Sequence, residues 1–133
     1  MHIDHIGIAV QSLQKGNLLY ELLLKTPPYK SEEVQSEGVI TSFFRTGESK
    51  VELLVATHPE SPIQKFIDKK GEGIHHIAFA VENIEEEIAR LKQSGLQFIA
   101  ETPKKGADNK LICFLHPKST GGVLIELCQD LNQ

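Results

Sequence analysis

Two histidines and two glutamates stand at matching places in two halves of this sequence, and their types and spacing suit metal chemistry. His5 lies 47 residues before Glu52, and His76 lies 50 residues before Glu126. Each histidine opens a run of small and branched apolar residues, His5-Ile6-Gly7-Ile8-Ala9-Val10 and His76-Ile77-Ala78-Phe79-Ala80-Val81. Each glutamate interrupts another such run, Val51-Glu52-Leu53-Leu54 and Ile125-Glu126-Leu127-Cys128. A carboxylate buried in such a strand is costly unless something pairs with it. Taken singly, each glutamate reads as a solvent-facing strand residue and each histidine as a hydrogen-bonded structural one. Their recurrence at equivalent places points instead to one divalent ion held by His5, Glu52, His76 and Glu126. Two neutral imidazoles and two carboxylates suit Co²⁺, Mn²⁺, Ni²⁺ or Zn²⁺. Four protein ligands on an octahedral ion leave two positions for a bidentate substrate. The spacings match no Cys/His zinc finger.

The elements that must position these residues follow from the same repeat. The first helix spans Leu13 to about Leu24 and is ended by Lys25-Thr26-Pro27-Pro28. The second is clearer, with Ile84, Ile88 and Leu91 at helical spacing, Asn83 as N-cap, acidic residues in the first turn and Gly95 closing it. Strands are expected at Val39–Arg45 and Val51–Ala56, around the turn Gly47-Glu48-Ser49-Lys50, and at Leu111–His116 and Val123–Cys128. A further strand in each half is expected near Ser31–Val34 and Gln97–Ala100. The stretch between the halves holds a short helix after Ser61-Pro62. The expected architecture is α+β: two paired βαβββ modules, approximately 1–57 and 73–133 with linker 58–72, forming a cupped mixed sheet around the metal site. One half alone is too small to bury much surface, so the two are expected to fold as a single domain.

Bulk composition narrows the classes of function. The 133 residues carry a net charge of −4, with 14 Lys and Arg against 18 Asp and Glu, which argues against nucleic acid as a partner. Lys104, Lys105, Lys110 and Lys118 cluster in the last third and suggest either a local basic rim or a solvated loop. No apolar run approaches a membrane span, and Met1-His2-Ile3-Asp4-His5 carries no secretory signal pattern. Cys113 and Cys128 lie inside apolar runs and read as buried reduced thiols, which suggests a cytoplasmic location. Among the other histidines, His75 must point to the opposite side of its strand from His76 and reads as structural. His116 reads as an ordered loop residue near a strand end, and His2 and His58 have no counterpart in the repeat.

Three longer stretches carry a resemblance. Asp4 to Val10, Gly71-Glu72-Gly73-Ile74-His75-His76-Ile77-Ala78-Phe79 and Phe114-Leu115-His116-Pro117-Lys118-Ser119-Thr120-Gly121-Gly122-Val123-Leu124-Ile125-Glu126-Leu127 resemble the methylmalonyl-CoA epimerases of the vicinal oxygen chelate superfamily, which also holds glyoxalase I and bleomycin-resistance proteins. Ser61-Pro62-Ile63-Gln64-Lys65-Phe66 matches them too. The resemblance implies interconversion of the two epimers of methylmalonyl-CoA through an enolate chelated to one divalent ion per chain, with Co²⁺ the first expectation. It implies an acyl-CoA substrate, a homodimer and a base role for Glu126 beside its ligand role. Other members of the superfamily suggest two alternatives, a glyoxalase I-like lyase and a non-catalytic small-molecule-binding protein. The chain departs from the family pattern in Glu37-Gly38-Val39-Ile40-Thr41, where Thr41 stands at the place of a Glu thought to act as one base. Glu37, His116 or water are then the remaining candidates for the second proton transfer. The Leu-Gly that often ends the first helix is likewise absent.

Overall fold

The computed structural model describes residues 1–131, and their backbone falls into two units. One comprises His5–His75; the other runs from His76 onward and includes Met1–Asp4.

In the first half, β1 (His2–Ala9) leads through α1 (Leu13–Leu24) to β2 (Lys30–Val34), β3 (Val39–Thr46) and β4 (Ser49–Ala56). The strand order is β2-β3-β4-β1, antiparallel except where β1 runs parallel to β4. A parallel pair cannot be joined by a hairpin, so α1 serves as the start of the crossover. Ser12 caps α1, its side chain accepting from the Lys15 N–H at 3.2 Å. At the other end Lys25 takes the left-handed conformation, φ 62, that a glycine would occupy without steric cost. Where the family pattern has Leu-Gly, this helix ends on a mildly strained left-handed lysine.

Strand alternation gives this sheet two unlike faces. Ile8, Val10, Phe44, Leu53 and Val51 pack against Leu13, Tyr20 and Leu24 of α1. Gly16 permits the close approach, since a Cβ there would meet the Leu53 Cδ1 at 3.0 Å. On the same side the Ser42 hydroxyl donates to Asn17 Oδ1 at 2.6 Å. On the opposite face Ala9, Val39 and Leu54 pack with Ile63 and Ile67 of α2 (Pro62–Lys70), whose N-cap is Ser61.

The second half repeats the plan with β5 (Gly73–Ala80), α3 (Ile84–Gln93), β6 (Lys104–Lys105), β7 (Lys110–Phe114) and β8 (Ile125–Asp130). Its order is β5-β8-β7-β6, with β5 parallel to β8. Ile84 and Ile88 of α3 pack on Cys113, Leu115 and Leu127. Both cysteines are buried and neither is in a disulfide. Each half is thus βαβββ with a mixed sheet, and the chain is α+β. No helix among the described residues is long and apolar enough to cross a membrane.

Three expectations are corrected. Residues 97–100 form no strand: Phe98 makes an isolated bridge with Leu115, and pairing resumes only at β6. Pro103 lies between and offers no N–H to a ladder. β7 stops at Phe114 rather than His116, because His116 caps a short 3₁₀ turn and its Nδ1 accepts from the Lys118 N–H at 3.1 Å. Lys110 is no part of a free basic rim: it is 13% exposed, with Asp4 at 3.6 Å and Asp130 at 3.8 Å.

Candidate functional site

His5 lies within β1 and Glu52 within β4, on neighbouring parallel strands. The register sets Gly7 beside Glu52 and His5 beside Lys50, so both side chains leave the face away from α1. His5 Nδ1 and Glu52 Oε2 are 3.1 Å apart. In the second half Glu126 of β8 is in register with Ala78 of β5, two residues beyond His76. His76 Nε2 and Glu126 Oε1 are 3.3 Å apart. All four side chains are buried, with exposures of 4, 5, 6 and 5% for His5, Glu52, His76 and Glu126. Each half therefore brings its own His and Glu together. Both histidines lie within their strands, three residues in from the start, rather than opening them.

The surroundings of the two pairs repeat as well. Phe43 of β3 stands opposite Glu52, and Phe114 of β7 stands opposite Glu126. The Phe114 ring meets the His76 ring edge-on at 5.7 Å. An aromatic wall beside each carboxylate lowers the local dielectric and strengthens the hold of the site on charge. A buried nitrogen and a buried carboxylate oxygen in contact are also a pair that a divalent ion can replace as the mutual partner. The donor chemistry in each half, one imidazole and one carboxylate, fits such an ion.

Sequence reasoning missed two charged groups on the face of His5 and Glu52. Lys50, assigned to a turn, lies in β4 beside His5 and is buried. Glu32 of β2 stands opposite Thr41, which itself is 1% exposed and shares the face of Glu52. Strand pairing, not sequence spacing, creates both neighbourhoods. Glu37 ends a 3₁₀ turn, and His116 holds the turn after β7.

His75 packs edge-on against Phe66 at 5.0 Å. Burial pushes its pKa from 6.5 down to about 4, opposed by Glu37 and reinforced by Lys70. The unfolded chain takes up this proton near pH 6.5, whereas the folded chain resists until about pH 4. The stability that neutral His75 contributes is therefore full above pH 6.5 and lost as pH falls towards 4. Part of the ring still reaches solvent, so the loss should amount to about 2 kcal/mol, below the full linkage value. Urea unfolding at pH 7.5 and 4.5 should show a smaller acid loss in His75→Phe than in the wild type. Parallel losses in the two proteins would contradict this reading.

The sequence matches the model of the Glyoxalase/Bleomycin resistance protein/Dioxygenase superfamily over residues 4–114. Human mitochondrial methylmalonyl-CoA epimerase is 38% identical over 128 residues, covering 96% of this chain and 73% of that protein. A hypothetical protein from Bacillus halodurans C-125 has a crystal structure that superposes with a TM-score of 0.95 at 47% identity, covering 98% of this chain and 95% of that one. A variant of Streptomyces coelicolor methylmalonyl-CoA epimerase in complex with 2-nitronate-propionyl-CoA superposes with a TM-score of 0.91 at 31% identity, covering 98% and 95%. The chain belongs to this superfamily and, within it, to the methylmalonyl-CoA epimerase family.

Proposed function

We propose that this chain interconverts the two epimers of methylmalonyl-CoA, with one divalent ion, Co²⁺ in the first instance, held by His5, Glu52, His76 and Glu126. The observation that carries the reading is the duplicated, buried His–Glu contact, at 3.1 Å in one half and 3.3 Å in the other, in a chain of this family. The repeats 1–57 and 73–133, with linker 58–72, act as one domain. The protein works as a homodimer in the cytoplasm; its buried cysteines, neither in a disulfide, support a reducing location.

The hydrogen to be moved lies α to both a thioester and a carboxylate. It is too weakly acidic for an unaided side-chain base. When bound, the ion supplies Lewis-acid stabilisation of the negative charge that develops as the proton leaves. His5 and His76 offer nitrogen donors from buried positions. Glu52 supplies a carboxylate oxygen from the first half. Glu126 has a carboxylate oxygen 3.3 Å from His76 and takes up the substrate's proton. Inversion needs a proton returned on the other side of the planar intermediate. Thr41 has no carboxylate for that step, so solvent water serves it.

The test is incubation with methylmalonyl-CoA in deuterium oxide while α-hydrogen exchange is followed by NMR. Deuterium should enter the α-position, stop entering after chelation, and enter again when Co²⁺ is restored. A protein loaded with one ion per chain that leaves the α-hydrogen untouched would overturn the reading.

A further inference from the structure

We propose that Glu32 is the carboxylate that loads and unloads the water serving the return proton, so that β2 supplies a positioning residue for the second half of the inversion. The inference rests on the epimerase reading and deepens it by naming the protein group behind that water.

Strand pairing in the first half places the group. Residues opposite one another across β2, β3 and β4 share a face of the sheet. One such row is Lys30, Phe43 and Glu52; the next is Glu32, Thr41 and Leu54. Leu54 lies two residues beyond Glu52 on the same strand, so both rows belong to the face of Glu52. The side-chain contacts agree. Lys30 Nζ is 3.5 Å from Glu32 Oε1 and 4.9 Å from the centre of the Phe43 ring. Glu32 is thus tethered by a cation that itself lies over the aromatic neighbour of Glu52. Two strand spacings and one two-residue step set the Glu32 and Glu52 backbones roughly 11–12 Å apart. That is a span that two glutamate side chains and one water can bridge, with the Thr41 hydroxyl beneath it.

Exposure suits a relay. β2 is the outer strand in the order β2-β3-β4-β1. The Glu32 side chain is 36% exposed, whereas Thr41 and Glu52 are buried. A group that passes protons between solvent and a buried face needs contact with both, and Glu32 has that placement. The next residue is a built-in control: Glu33 is opposite Ile40, and alternation turns it to the other face.

On the return step one O–H bond of the water breaks, and the electron pair of the planar intermediate forms the new C–H bond. The oxygen left behind takes the Glu32 carboxyl proton, and Glu32 regains one from solvent. In the reverse direction the water accepts the α-proton while ionised Glu32 takes a proton from the water.

The test compares two rates on the Co²⁺-loaded full chain in deuterium oxide: wash-in of α-deuterium by NMR, and net epimerisation by optical rotation. Glu32→Gln should slow epimerisation by ~10–100-fold, the lower part of the range for a proton-transfer group. Wash-in through Glu126 should persist near the wild-type rate, with ion content unchanged. Glu32→Asp should recover part of the loss. Formate added to Glu32→Ala should revive epimerisation in proportion to its concentration, which a merely structural residue would not allow. Glu33→Gln should match the wild type. Three results would each overturn the inference: a Glu32→Gln protein that epimerises at full rate, one that loses wash-in and epimerisation together, or a Glu32→Ala protein that formate does not revive. An ion-loaded wild type with no wash-in at all would instead remove the epimerase reading, and this role with it.

Discussion

Glu126→Gln is expected to lose both metal and turnover, with α-deuterium exchange falling by ~10²–10⁴-fold, the range for removal of a well-placed proton-transfer group. The side chain is 5% exposed and in contact with His76, so the amide fits the same space and the fold should survive. Metal content after dialysis should fall as well, because a neutral amide is a poorer partner for a dication than a carboxylate. Melting temperature, ion content and exchange rate measured on one preparation separate these effects. A variant that keeps one ion per chain and the full exchange rate would remove Glu126 from both roles. Loss of exchange with metal retained would leave it a base but no essential ligand.

Thr41→Glu is expected to act in the opposite sense. Thr41 is buried on the face that carries Glu52, whereas Glu37 lies in the turn before β3, where its charge is felt by His75. If water serves one side of the planar intermediate in the wild type, solvent deuterium wash-in and net epimerisation should proceed at unequal rates. A carboxylate at residue 41 should bring the two rates together and raise epimerisation by ~10-fold or more, within the range a positioned base supplies. The substitution also carries a stability cost of about 1–2 kcal/mol, since it buries a second carboxylate directly across from Glu32. Glu37→Gln should leave the rate unchanged. A crippled Glu37→Gln with intact metal, beside a Thr41→Glu that gains nothing, would transfer the role to Glu37.

What the sequence disclosed depended on whether the signal was local. α1 and α3 were legible because capping residues and apolar spacing lie within a few positions of one another, and Leu13–Leu24 is found as expected. The His and Glu pairs were legible because duplication marks a position twice. The faces of Lys50 and Glu32 were not, since each depends on which strand lies alongside and in what register. Residues 97–100 misled for a related reason: apolar content suggests a strand, but ladder length is set by the partner and by Pro103. The leucines of α1 look like core residues in a linear reading, and only the packed backbone reveals which side of the helix remains bare.

The parallel pairing of β1 with β4 also governs the order in which the first half can assemble. Ile6 and Val51 become neighbours only after the whole intervening chain has folded back, with α1 and two further strands between them. Such distant pairing carries a large loop-closure entropy and slows the search for the native state. During synthesis, the hairpin of β3 and β4 can form as soon as both strands leave the ribosome, because its turn is short. β1, although made first, must wait for β4 to offer an edge. His5 therefore meets Glu52 late, and the first His–Glu pair should be among the last contacts of its half to lock.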